Sequence, residues 1–284
     1  MGFLSGMPVE APPASCKAGW WYTGSVGSLT EIAPGVLVAT SSFALTKTTI
    51  VVGSAGSGRC LLIDPAVTVA ELAGLAAELA DRGLMPAVAW STHPHWDHVL
   101  WSRELGDVPR YAAPAAVTIT QTDRDGILDG VRQSAPGHDL SLIGRLRSLD
   151  ASVVPWDGPT AQLIVHDGHA PGHGAVFLPD SGILIAGDMC SDVEIPLLDT
   201  VAADPLGDYR AGMERLASVP GVRQVVPGHG HVGDARELRR RLALDAVYLD
   251  AVSAGRPYGD PRLTADSPKW MRVTHEEQVR YFQP

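Results

Sequence analysis

His93-Pro94-His95-Trp96-Asp97-His98 places three imidazoles and one carboxylate within six residues. His93 and His95 are two apart, so in an extended turn they point the same way. Asp97 and His98 follow at once and face a second point a few ångströms off. That arrangement suits two adjacent metal ions rather than one. Imidazole with carboxylate selects zinc or other first-row divalent ions over calcium or magnesium.

Outward from this run, Ala87-Val88-Ala89-Trp90-Ser91-Thr92 reads as a short buried strand bounded by Pro86 and Pro94. The ligands therefore emerge at the carboxyl end of a strand, where α/β sheets hold their chemistry. Further ligands are expected at other strand ends, in turns where glycine lets the backbone approach the metals. Three places fit. Pro171-Gly172-His173-Gly174 follows the strand-like 161–165, Gly187-Asp188 ends the apolar run 183–186, and Pro227-Gly228-His229-Gly230 ends 222–226.

With these four motifs in order, the chain resembles the metallo-β-lactamase-fold hydrolases. HPHWDH (93–98) matches the family's HxHxDH, and PGHG (171–174) its third-ligand turn. GD (187–188) matches the bridging aspartate, PGHG (227–230) the last ligand, and Leu61-Leu62-Ile63-Asp64-Pro65 the preceding Asp turn. The resemblance spans roughly residues 30 to 232 and implies an α/β fold, the αββα four-layer sandwich. It assigns His93, His95 and His173 to a first metal and Asp97, His98 and His229 to a second, with Asp188 bridging both. Asp64 is placed behind them, holding ligand-loop amides or a ligand's free ring nitrogen. A histidine rather than a carboxylate at 95 argues against the flavodiiron oxidoreductases of the same fold.

This ligand set implies a dinuclear zinc hydrolase, with iron or manganese as alternatives. A metal-bridging hydroxide would attack the carbonyl of a small ester, lactone, thioester or β-lactam, and Asp97 or Asp188 would orient it and move its proton. The competing class is a non-hydrolytic metalloprotein of the same fold, with sulfur-dioxygenase-like iron chemistry or a biosynthetic role. Of the other histidines, His231 and His169 read as loop residues near the pocket, and His166 and His275 as structural or exposed. Cys190 reads as a small apolar filler.

Composition narrows the partners. A net charge of −10 and a pI near 5.4 disfavour nucleic acid and anionic membrane surfaces, leaving a small molecule as partner. The cluster Arg236, Arg239, Arg240 and Arg241 reads as a solvated helix face. No 18-residue apolar span is present, so no membrane helix is expected. The N-terminus lacks a basic n-region and a continuous apolar core, and Cys16, Cys60 and Cys190 are too scattered for a disulfide framework. The expected location is cytoplasmic.

Residues 1–30 read as an N-terminal arm whose Trp20, Trp21 and Tyr22 offer a contact for a homo-oligomer. Residues 31–255 read as the catalytic domain and 256–284 as a C-terminal tail, too short for a thiol-recognition domain. Strands are expected near 35–40, 47–53, 59–63, 87–91, 109–113, 161–166, 174–178, 183–187 and 222–226. Helices are expected at 68–82, 97–105, 204–218 and 234–253. The stretch 114–157, with helices at its start and near 138–149, reads as an insertion and candidate lid. Trp96, Trp101, Ile127, Leu128 and His138 are its candidate pocket residues.

Overall fold

Side chains on successive strand residues point to opposite faces, and in this chain that parity builds the layers. In β2 (Val36–Thr40), Leu37 and Ala39 join one core cluster while Val36 and Val38 join another. In β4 (Arg59–Ile63), Leu62 goes with the first and Leu61 and Ile63 with the second. The second sheet repeats the rule. Val176 and Leu178 of β9 (His173–Leu178) and Ile183 and Ile185 of β10 (Ile183–Gly187) meet the first sheet's inner face. Ala175, Phe177, Leu184 and Ala186 face outward, under helices. The result is helix, sheet, sheet, helix, the expected αββα sandwich. The computed structural model describes residues 28–256 and 258–283, so the aromatic arm and Cys16 lie outside the described residues.

The first sheet runs β1 (Thr30–Ala33), β2, β3 (Lys47–Val52), β4, β5 (Met85–Trp90), β6 (Arg110–Ala112), β7 (Arg147–Ser148). It is antiparallel from β1 to β4 and parallel from β4 to β7. The second runs β12 (Gly233–Asp234), β11 (Gln224–Pro227), β10, β9, β8 (Gln162–His166), with β10 and β11 parallel. Asp64 and the His93 loop thus leave the same end of β4 and β5, and Asp188 and His229 the same end of β10 and β11. Trp90 crosses between the sheets, its indole Nε1 donating to the Gly174 carbonyl at 2.8 Å.

Outside the first sheet lies α1 (Val69–Asp81). Thr68 and Glu71 close a capping box at its start, and Leu72, Leu75 and Leu79 form its buried stripe. α2 (Pro114–Thr122) and α3 (Arg124–Ser134) lie on the same side, with Ile127, Leu128 and Val131 of α3 in the outer core beside Trp101. These side chains, like Trp101, are packed rather than open to a pocket. Trp96 is half-buried against Phe43, and His138 donates from Nε2 to the Val67 carbonyl. α4 (Pro205–Ala217), α5 (Ala235–Ser253) and α6 (Lys269–Tyr281) cover the second sheet. Among the described residues, no helix is long and apolar enough to cross a membrane.

Two expected helices do not form. Residues 97–105 give two short 3₁₀ turns, Trp96–His98 and Arg103–Leu105. Between them Val99, Leu100 and Trp101 are all buried, and three consecutive buried residues do not fit one stripe of a helix. Around 138–149 the chain turns instead. The Leu140 and Ile143 carbonyls accept from the Arg124 guanidinium, and the Leu142 carbonyl accepts from Arg110. The carbonyls that a helix would use internally are thus taken by two arginines. Within the stretch read as a tail, α6 places Met271 and Val279 in the core of the second half.

Candidate metal centre

Asp64 ends β4 with a left-handed φ of +48°. This aims its carboxylate across to the start of the histidine loop. Oδ1 accepts the Thr92 amide at 2.8 Å, and Oδ2 accepts the Thr92 hydroxyl at 2.7 Å and His98 Nδ1–H at 3.1 Å. With its own proton committed to Asp64, Thr92 Oγ1 accepts from His93 Nδ1–H at 3.0 Å. One buried carboxylate therefore sets the tautomer of two histidines and leaves both Nε2 atoms bare. That is the expected place for Asp64 behind the ligand loop.

The bare nitrogens converge on Asp188. Its Oδ2 lies 3.3 Å from His93 Nε2, 3.3 Å from His229 Nε2 and 3.5 Å from His169 Nε2, and its Oδ1 lies 3.2 Å from His98 Nε2. Asp97 Oδ2 lies 3.2 Å from His229 Nε2 and 3.6 Å from His98 Nε2. Ligand-type atoms of His93, His95, His169 and Asp188 fall within 4.8 Å of one another, as do those of Asp97, His98 and His229. Glycine is required at 228, where a Cβ would collide with the Asp188 carboxylate.

The sequence reading is corrected at one position: His169, not His173, joins His93, His95 and Asp188. His173 is the first residue of β9, paired in register with His166 of β8. Its ring is fully buried and stacks between His166 and His93, and neither of its nitrogens has a partner among the described residues. His169 lies in the turn between those strands at φ +72° and reaches inward. Both histidines follow a glycine, so local sequence does not separate them. The separating signal is that β9 starts at His173, which leaves the turn to supply the ligand.

The donor atoms suit a cation. His229 Nδ1–H donates to the Ala44 carbonyl at 3.1 Å, so its Nε2, like that of His98, is a bare lone pair when the ring is neutral. These two nitrogens are 3.3 Å apart. His169 donates from Nδ1 to the Leu197 carbonyl at 3.2 Å, and its bare Nε2 stands 3.0 Å from His95 Nδ1. Lone pairs aimed at each other in a buried site call for a positive charge between them. His93 Nε2 and Asp188 Oδ1 are buried with no hydrogen-bond partner among the described residues.

The electrostatics agree. Burial alone would lower His98 and His229, but the facing Asp188, with Asp97 beside His98 and Glu194 beside His229, raises both well above the ordinary histidine value. Burial keeps His169 and His173 well below it. Burial would raise Asp97 and Asp188, yet the surrounding imidazoles hold both below the usual carboxylate range. The carboxylates of this pocket thus favour positive charge on the rings they face, the condition that also suits a cation.

Of the neighbours of this cluster, Glu194 and Gln278 were not singled out by sequence. Glu194 is buried beside His229, and burial raises its carboxyl to about 7. Arg241, read as solvated, is buried and donates to the carbonyls of Cys190 and His231, joining the two loops that carry Asp188 and His229. His231 is exposed at the rim and paired with Asp192 at 2.8 Å. Cys190 is buried, and burial pushes its thiol far up, as fits a filler. Gln278 of α6 accepts the Leu198 amide at 2.6 Å and donates to the Pro196 carbonyl at 3.0 Å, bracing the loop that holds His169.

Residues 44–249 match the family model of the metallo-beta-lactamase superfamily. The chain is 24% identical over 187 residues to a probable metallo-hydrolase of Bacillus subtilis, covering 61% of this chain and 80% of that protein. It is 27% identical over 197 residues to a hydroxyacylglutathione hydrolase of Roseobacter denitrificans, covering 69% and 67%. Among solved structures, TTHA1623 in a di-iron-bound form superposes with a TM-score of 0.56 at 26% identity, covering 72% of this chain and 97% of that one.

Proposed function

This chain belongs to the metallo-β-lactamase superfamily, and from that premise we propose that it is a dinuclear metal-dependent hydrolase of a small acyl compound. The candidate substrates are a thioester, lactone, ester or β-lactam. The observation that carries the reading is the carboxylate of Asp188 within 3.2–3.5 Å of four imidazole nitrogens, with a separate histidine group on either side. In it His93, His95 and His169 would hold one ion, Asp97, His98 and His229 would hold the other, and Asp188 would serve both. Two such ions supply Lewis acidity, polarising a substrate carbonyl and lowering the pKa of water.

The chain's own groups do the rest. Asp97, held ionised by the facing imidazoles, accepts a hydrogen bond from an attacking water and orients it. Asp188 offsets the repulsion between two cations. Asp64 keeps the His93 and His98 rings from rotating. A thioester is the first substrate class to try, because relatives at 27% and 29% identity are hydroxyacylglutathione hydrolases. Iron is in the metal panel because one similar structure holds two irons.

The test is hydrolysis of a panel of thioesters, lactones, aryl esters and β-lactams by protein loaded with zinc, manganese or iron(II), with oxygen uptake followed in parallel. Activity abolished by chelation, restored by metal and crippled by Asp188→Ala supports the reading. Oxygen consumption with no hydrolysis of any panel member would overturn it in favour of the non-hydrolytic iron reading.

A further inference from the structure

Glu194 is 9% exposed, and among the described residues no group hydrogen-bonds its carboxylate. Its Oε1 lies 3.8 Å from His229 Nδ1, too far for a hydrogen bond, and that nitrogen is already committed to the Ala44 carbonyl. Glu194 is therefore not the group that orients His229. Its ligand-type oxygen nevertheless falls within 4.8 Å of donor atoms of both Asp188 and His229. A carboxylate nine-tenths buried beside two others, with no hydrogen bond among the described residues, is ionised at low cost only where positive charge stands next to it.

We propose that Glu194 is an additional oxygen donor of the His229-side cation position, and that it makes the two positions unequal in the metal they prefer. The inference rests on the dinuclear reading above. The His93 side then offers three imidazole nitrogens and a shared carboxylate. The His229 side offers the imidazoles of His98 and His229 with Asp97, and the group formed by Asp188, Glu194 and His229 would add two further carboxylates. Imidazole-rich sets suit zinc, whereas added carboxylates favour harder ions such as manganese(II). The centre is thus built to hold a zinc-type ion beside a manganese-type ion.

The backbone supports Glu194 in this role. Its amide and that of Val193 donate to Ser191 Oγ, whose own hydroxyl donates to the His229 carbonyl at 2.8 Å. The 191–194 turn and the His229 turn are thereby joined, so Glu194 and His229 keep their spacing without a bond between their side chains.

The experiment uses the whole chain, stripped of metal, loaded with one equivalent of zinc and titrated with manganese(II). Free manganese is read by its electron paramagnetic resonance signal, and total metal by elemental analysis. The wild type is expected to take up one equivalent of manganese. Glu194→Gln, which keeps the shape of the side chain, and Glu194→Ala should weaken manganese binding tenfold or more and leave the first zinc in place. That is at least the scale on which groups one shell further out act. Circular dichroism and melting check that both variants fold. Wild-type manganese affinity in both variants overturns the role of Glu194 while leaving the dinuclear reading intact. A wild-type chain that holds fewer than two divalent ions overturns the dinuclear reading, and this assignment with it.

Discussion

His169 donates its Nδ1–H to the carbonyl of Leu197 across 3.2 Å, and this bond turns its Nε2 towards His95 and Asp188. His173, four residues on, has no such partner and faces another ring on each side. The two histidines should therefore part company under mutation. His169→Ala is expected to lose one equivalent of bound metal and reduce turnover at least a hundredfold. His173→Leu, which removes two unpartnered nitrogens from the core, is expected to keep both equivalents and change stability by about 1 kcal/mol or less. Elemental analysis of both variants decides, and metal loss in His173→Leu alone would restore the reading made from sequence.

Asp64→Asn keeps the size of the side chain, and asparagine tolerates the left-handed φ. Its one oxygen can take the place of Oδ1, accepting the Thr92 amide, or of Oδ2, accepting the Thr92 hydroxyl and His98, but not both, so either the ring anchors or the Thr92 amide are left unmatched. Metal affinity is expected to fall about 10- to 100-fold, with a loss of about 1–3 kcal/mol in stability from the buried donor left unsatisfied. Chelator competition and denaturant melts measure the two effects. Unchanged affinity would show that the rings are held by packing alone.

Gln278→Leu acts at a distance. Removing its amide frees Pro196 and Leu198, and with them the carbonyl that fixes His169. The expected result is weaker binding at the His93-side position, a preserved His229-side position, and a loss of about 1–3 kcal/mol. Spectra of the cobalt-substituted protein report the two positions separately. Equal weakening of both would mean that α6 supports the half as a whole rather than His169.

Lys47 gives a pH-dependent prediction that does not turn on a candidate metal ligand. Burial lowers its ammonium from 10.5 to about 8, against the pull of Asp192, and its Nζ donates to Thr40 Oγ1. The folded value lies below the unfolded one, so folding disfavours the charged form. The penalty is complete below pH 8 and fades as pH rises towards 10.5. At roughly 1.4 kcal/mol per tenfold it is about 3 kcal/mol at pH 7. Lys47→Met is expected to stabilise by about 2 kcal/mol at pH 7, after loss of the Thr40 bond, with most of the gain gone by pH 10. Denaturant melts at the two pH values check this, and a gain that does not vary with pH would refute the cause.

The strands were legible because short apolar runs with glycine-bounded ends are local signals. Val36 to Ala39, Leu61 to Ile63 and Ile183 to Ala186 are continuous apolar runs buried on both faces, and only the structure divides their side chains between the layers. His93, His95, Asp97, His98, Asp188 and His229 were legible for the same reason, each standing at a strand end. The failures are long-range. Residues 138–149 carry an apolar pattern fit for a helix, but Arg110 and Arg124, distant in sequence, claim its carbonyls. Arg241 shares a helix start with exposed arginines, and only the loops it reaches make it a buried one. His169 needed the start of β9 to be known to within a residue.

The donors are divided between the two sheets, four from the loop after β5 and His169, Asp188 and His229, with Glu194 as proposed, from turns around β9, β10 and β11. With cations held as proposed, each sheet grips the same pair, and the ions act as a cross-link between halves that bury separate outer cores. Free ion at a hundred times its dissociation constant adds about 2.7 kcal/mol to the folded state. Metal supply then governs lifetime as well as turnover: a chain starved of metal opens along the seam more often, meets proteases there and is cleared, so that the abundance of the protein follows its loading.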